Sequence, residues 1–168
     1  IVISEGFAIV VLKRLADAQR DGDRIYAVIK AVAGSSDGKA LGLTAPLPAG
    51  QMRALKRAYK KAGISPNTLG LYEAHGTGTV AGDKAEIETI VKTLSANKSV
   101  SKSCLVGSVK TMIGHTKSTA GVAGLVKAAL SLYHKTLPPH IGVDTPLDAI
   151  ADPESPVYLL KEAKPWFA

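Results

Sequence analysis

The chain has one cysteine, Cys104, one tryptophan, two phenylalanines and two methionines. A lone cysteine allows no internal disulfide and no cysteine-based metal site. Aromatic residues make up only 5% of the chain, so the core must be assembled from Val, Leu, Ile and Ala. The same scarcity denies the basic side chains the interleaved stacking platform of a single-strand nucleic-acid binder. No apolar run is long enough to span a bilayer, and no signal-peptide pattern opens the sequence. From these absences the expected location is cytoplasmic, with no nucleic acid and no membrane among the partners. Nor does any nucleophile stand in an activating setting. Cys104 sits among apolar residues with no His adjoining it in sequence, and reads as a small buried hydrophobe.

What is present fits one α/β domain. The 168 residues are 46% hydrophobic and 21% charged, with a net charge of +7. The positive residues are scattered, apart from Arg53, Lys56, Arg57, Lys60 and Lys61 on one segment. That cluster reads as a solvated helix face or a surface for an acidic protein. The first residue is Ile1, and the chain opens directly into a strand-like run, so a piece of a longer protein is expected.

Along the chain, residues 7–12 and 25–32 are apolar and β-branched, with Asp21-Gly22-Asp23 between them, and predict a hairpin. Residues 34–49 are rich in Gly, Ser and Pro and predict a loop. Helical spacing follows over 51–62, closed by Gly63, and again over 83–94, with Ile87, Ile90, Val91 and Leu94 on one face. Short strands are expected at 69–74 and 104–109. A helix over 119–133 is rich in Ala and Gly. Glycine costs a helix interior about 1 kcal/mol, so close approach of another backbone and burial are expected there. The tail after Pro138 has one strand candidate, 157–160, and its weak patterning suggests that it packs on something outside the chain. From residue 51 the order α-β-α-β-α predicts a largely parallel sheet with covering helices.

Two histidines lie in glycine-rich strand-to-helix junctions: Glu73-Ala-His75-Gly-Thr77-Gly-Thr79 and Gly107-Ser-Val-Lys110-Thr-Met-Ile-Gly-His115-Thr. A neutral imidazole in such a place donates a hydrogen bond to a carbonyl oxygen, or exchanges a proton near neutral pH. The glycines let the backbone approach a ligand, and Thr77 and Thr79 offer hydroxyls. Lys110 favours a neutral His115 and can bind a carboxylate. The alternative is a pair of buried histidines that satisfy their loops. His134 and His140 flank a proline turn and read as surface or structural residues. Asp83 and Glu86 read as acids opening a helix. Metal-ligand spacing is absent, and so are the phosphate-loop and dinucleotide fingerprints.

Taken together, Glu73–Thr79 followed by Gly82-Asp83, Val106–Lys110, Ile113-Gly-His115-Thr and Ala120–Gly124 resemble the later part of a β-ketoacyl synthase. The type is the ketosynthase domain of polyketide and polyunsaturated fatty acid synthases. Ser4-Glu5-Gly6, Leu12–Leu15, Leu43-Thr-Ala-Pro46 with Gln51, Leu137-Pro-Pro139 and Pro165-Trp166 extend the resemblance over essentially the whole chain. The wording His115–Gly121 leans toward the polyunsaturated fatty acid type, and the pathway stays open.

The resemblance implies a partial thiolase-like α/β fold. Residues 1–33 would be the end of the N-terminal half and 34–168 most of the C-terminal half. It implies an acyltransferase that joins a malonyl-type extender to an acyl thioester by decarboxylative Claisen condensation. His75 and His115 would be the two catalytic histidines, Lys110 the support of the second, and Thr77 and Thr79 the hydroxyls lining the pantetheine arm. The domain would bind no cofactor of its own. An acyl carrier protein would deliver the phosphopantetheine arm, and the intact parent would be a homodimer.

Three departures stand out. The family's cysteine nucleophile falls before Ile1, its glycine-rich Phe-containing loop falls beyond Trp166, and Met112 replaces a common asparagine. The chain by itself is therefore expected to be inactive. The other reading the sequence permits is a non-catalytic ketosynthase-like piece for structural support or carrier-protein docking.

Overall fold

The structure, a computed structural model, describes residues 1–36, 38 and 46–167. Its centre is a parallel three-stranded sheet. Strand β1 (Leu71–Glu73) pairs with β2 (Cys104–Gly107), and β2 pairs with β4 (Val157–Tyr158), giving the order β1-β2-β4. A small antiparallel pair, β3 (Thr136–Leu137) with β5 (Lys164–Pro165), lies apart from it. The helices are α1 (Leu15–Arg20), α2 (Pro48–Ala62), α3 (Val80–Ser95), α4 (Lys110–Ile113), α5 (Ala120–Tyr133) and α6 (Asp148–Ala151).

The expected α-β-α-β-α run and the parallel sheet are both present. All four residues of β2 are buried, as a strand with neighbours on both edges and cover on its faces requires. α3 turns its Ile87, Ile90 and Leu94 stripe onto the sheet, where they form one core with Cys104, Val106, Ile150 and Val157. α2 packs on α3 and ends as its sequence indicated, with Gly63 left-handed at φ 68° and its N–H donating to the Tyr59 carbonyl.

Three expectations are corrected. First, residues 7–12 and 25–32 form no hairpin. The chain turns instead through α1, with Lys13 bridging Asp21 at 2.6 Å and Asp23 at 2.5 Å. A strand needs a neighbour to complete its hydrogen bonds, and no described residue supplies one. Phe7 and Val11 are accordingly 87% and 93% exposed.

Second, the tail after Pro138 packs on this chain. It supplies β4 to the central sheet, and Ile150, Val157 and Leu160 are buried. The indole of Trp166 lies against Gly70 and joins a second cluster with Leu105, Leu137 and Leu160. Its short segments carry too few residues to show a period, so the packing was not legible in sequence.

Third, α5 is covered on one side only. Ala120, Gly124 and Ser131 are buried, while Leu125, Leu130, Leu132 and Tyr133 are exposed. Gly124 does permit a close approach, from the Glu73 side chain, but among the described residues no atom outside its own helix lies within 4 Å of where a Gly121 Cβ would stand. Of the expected loop over 34–49, residues 37 and 39–45 lie outside the described residues, and with them Leu43-Thr-Ala of the quoted phrase. No described helix is long and apolar enough to cross a membrane.

Candidate active site

Both histidine loops leave the same, C-terminal end of the sheet's strands, because β1 and β2 are parallel, with Glu73 opposite Gly107. The loop after β1 is held from below by α3. The Glu86 carboxylate accepts the main-chain N–H of His75 at 2.7 Å and of Gly76 at 3.0 Å. Gly76 has φ 46°, and a Cβ there would come within 2.7 Å of the Ser108 Cβ, so glycine is required for both conformation and space. Ser108 in turn donates its hydroxyl to the His75 carbonyl at 3.4 Å, joining the two loops.

The second loop runs from Ser108 through α4 to Gly114, which is left-handed at φ 76°, and then to His115. The N-terminal segment clamps this histidine's backbone. Its N–H donates to the Val2 carbonyl at 2.7 Å, and its carbonyl accepts the Ser4 N–H at 3.2 Å. Gly6 belongs to the same clamp, with its carbonyl accepting the Thr119 hydroxyl at 2.7 Å.

The His75 and His115 rings meet edge to face, with centroids 5.6 Å apart and planes at 89°. The Lys117 main-chain N–H donates to His115 Nδ1 at 3.1 Å. Nδ1 is therefore the acceptor, which assigns the proton of the neutral ring to Nε2. His115 titrates below its ordinary value, because desolvation and the positive charges of Lys110 and Lys117 all disfavour imidazolium, and His75 adds to this.

A cleft of about 580 Å³ opens beside these loops. Lys110, His115 and Thr77 line it, together with Glu86, Ser108 and His140. His75 is exposed and is not part of that lining; it reaches the site through its contact with the His115 ring. Thr79 is also outside the lining and pairs with Thr77, oxygen to oxygen at 3.1 Å.

Four residues carry more than their sequence suggested. Glu86 braces the first loop and does not cap its own helix. Glu73 and Lys127 form an ion pair at 2.8 Å behind the loops. His140, expected to be a surface or structural residue, is half-buried in the cleft. It accepts the Ser108 N–H at 3.3 Å on Nδ1, and desolvation with the nearby Lys127 charge lowers its pKa. The available signal was the spacing of Glu86 from His75 and the proline pair before His140; neither fixes a contact without the fold. His134 stays outside, stacked edge-on against Tyr133. Cys104 is fully buried in the core, away from the cleft lining, and burial pushes its thiol up to about 12. No group of three metal-ligating side chains occurs among the described residues.

Residues 26–144 match the family model described as the β-ketoacyl synthase C-terminal domain. The chain belongs to the β-ketoacyl synthase family. It is 46% identical to a polyunsaturated fatty acid synthase of Thraustochytrium sp., across 99% of this chain and 6% of that protein. It is 42% identical to the polyketide synthase PksM of Bacillus subtilis, across 98% of this chain and 4% of that one. Among solved structures, the ketosynthase from module 6 of the bacillaene synthase of Bacillus subtilis superposes with a TM-score of 0.88 at 40% identity. This ketosynthase-family chain covers 28% of that structure, and 93% of its own length is matched. Its α/β architecture is therefore part of a thiolase-like ketosynthase fold.

Proposed function

We propose that this chain supplies the two-histidine side of a decarboxylating condensation site. The observation that carries the reading is the edge-to-face pairing of His75 with His115, which lines the cleft and is held as its Nε2–H tautomer. That N–H is a donor for an oxygen that gains negative charge. In the proposed reaction a malonyl thioester on an acyl carrier protein enters the cleft with its pantetheine arm along Thr77 and Thr79. The bond to the carboxylate carbon breaks and CO2 leaves. The electron pair moves into an enolate whose oxygen accepts hydrogen bonds from the imidazoles. The enolate carbon then attacks an acyl thioester on an enzyme cysteine, a carbon–carbon bond forms, and the cysteine thiolate departs.

Lys110 keeps the site positive and His115 neutral, which suits both the incoming carboxylate and the oxyanion. Cys104 cannot be that cysteine, since a buried thiol pushed up to about 12 is neither ionised nor reachable. The nucleophile is thus assigned to a part of the ketosynthase outside this chain, and the chain alone should not condense. A docking or scaffolding role has no need of a cleft with the His75, His115 and Lys110 set.

The test is malonyl decarboxylation by a complete ketosynthase domain carrying this chain. His115→Ala should cut CO2 release by about 10²–10³-fold, as loss of one oxyanion donor does. Unchanged release would remove His115 from the mechanism.

A further inference from the structure

One carboxylate ties together the three elements that place the histidines. Glu73 ends β1, two residues before His75, and its side chain is only 16% exposed. Its Oε1 accepts the Val109 main-chain N–H at 2.6 Å, and its Oε2 pairs with Lys127 Nζ at 2.8 Å. Val109 is the residue from which α4 starts, and α4 leads through Gly114 to His115. Lys127 comes from the middle of α5 and is 10% exposed. The backbone leaves room for this junction at two glycines. A Cβ on Gly107 would stand 3.1 Å from Lys127 Nζ, and one on Gly124 would stand 3.0 Å from Glu73 Cγ.

We propose that Glu73 is a positioning residue for the two-histidine site: its carboxylate, braced by Lys127, fastens the start of the 109–115 segment to the strand that carries His75. This inference rests on the proposed roles of His75 and His115. The two bonds have separable jobs. The bond to Val109 sets where α4 begins, and so where Lys110 and His115 stand relative to His75. The bond to Lys127 neutralises a carboxylate that would otherwise be buried alone. Lys127 also disfavours protonation of His140 in the same cleft, so the pair borders the site electrostatically as well as mechanically.

The separation makes the inference testable against a plain stabilising role. In a complete ketosynthase domain, activity should follow the acceptor at position 73, and stability should follow the pairing of charges. Glu73→Gln keeps an acceptor for Val109 and should lose about five- to tenfold in kcat for CO2 release, with KM unchanged. Lys127→Met should lower the melting temperature more than it lowers kcat. The double variant Glu73→Leu with Lys127→Leu removes both charges, so its melting temperature should recover relative to Lys127→Met. Its kcat should still fall about 10²-fold, since misplacement on the scale of 1 Å costs that much. Hydrogen exchange gives a readout apart from activity: the Val109 amide should be protected in the parent and in Glu73→Gln, and exposed in the double variant.

A double variant with a recovered melting temperature and parental kcat would overturn the inference. So would a Val109 amide equally protected in all forms, which also serves if the double variant folds poorly. If such variants keep their activity while His75→Ala and His115→Ala lose theirs, the positioning role alone fails. If both histidine variants release CO2 normally, the proposed function fails and the positioning role falls with it.

Discussion

Replacing Glu86 with alanine perturbs the site without touching an imidazole. Its carboxylate holds two adjacent loop amides, His75 N–H at 2.7 Å and Gly76 N–H at 3.0 Å. Hydrogen bonds to a charged acceptor contribute about 1.5–3 kcal/mol each when shielded. Here His75 is exposed and Gly76 partly buried, so water recovers part of the loss. A net cost of about 2–3 kcal/mol follows for the pair. About 2–4 °C per kcal/mol for a domain of 150–250 residues would put the fall in melting temperature at roughly 4–12 °C, and a complete ketosynthase, being longer than this chain, should fall by less. The second consequence is geometric. Among the described residues, the His75 backbone then keeps one hydrogen bond, the 3.4 Å bond from Ser108 to its carbonyl, a weak one. A loop released by about 1 Å should lose on the order of 10²-fold in CO2 release. Glu86→Gln keeps one acceptor oxygen and turns an N–H₂ toward the other amide, so it should fall between the parent and Glu86→Ala on both scales. The assay is thermal unfolding beside malonyl decarboxylation in a complete ketosynthase domain. A Glu86→Ala form that melts and turns over like the parent would refute the claim that this carboxylate holds the His75 loop.

Other consequences follow from the same geometry. Because His115 is depressed below about 6.5, its neutral form and the stability it brings are complete above that pH and are lost as pH falls below it. Lys110→Met removes one of the positive charges responsible, so the acid limb of the decarboxylation rate should move to higher pH; an unmoved limb would deny that Lys110 acts on His115. Cys104 should resist a thiol reagent in the folded protein, and Cys104→Ala should leave condensation by a complete ketosynthase unchanged; product formation by the isolated chain that vanishes with Cys104→Ala would overturn its structural assignment. The exposed apolar residues of segment 7–12 and of α5 should make the isolated chain self-associate, read as early elution in size-exclusion chromatography. In the same preparation the amides of fully buried β2 should exchange most slowly, ahead of one-sided α5; the reverse order would contradict the core placement.

The sequence by itself determined the local elements with a strong period or a strong stop: α3 from its apolar stripe, the end of α2 from Gly63, the parallel strands before each histidine, and the two loops themselves. These depend on short-range sterics and side-chain spacing, which a linear reading contains. It also determined the family, through motifs spread over the chain, and the identities of His75, His115 and Lys110 as candidates.

Only the tertiary structure decided what those loops rest on. Glu86 reads as a helix-opening acid until α3 turns it under the His75 loop. Glu73 and Lys127 are far apart in sequence and meet only because α5 crosses β1. His140 enters the cleft because its backbone N–H is fastened to the Leu160 carbonyl at 2.7 Å, a contact between two stretches of weak pattern. Residues 7–12 and 25–32 went the other way: their composition favours strand, but a strand is completed by a partner, and propensity without a partner left them without regular structure and largely exposed. Residue type fixes which groups can do the chemistry. Which of them share a cleft depends on long-range packing, and no period in the chain encodes that.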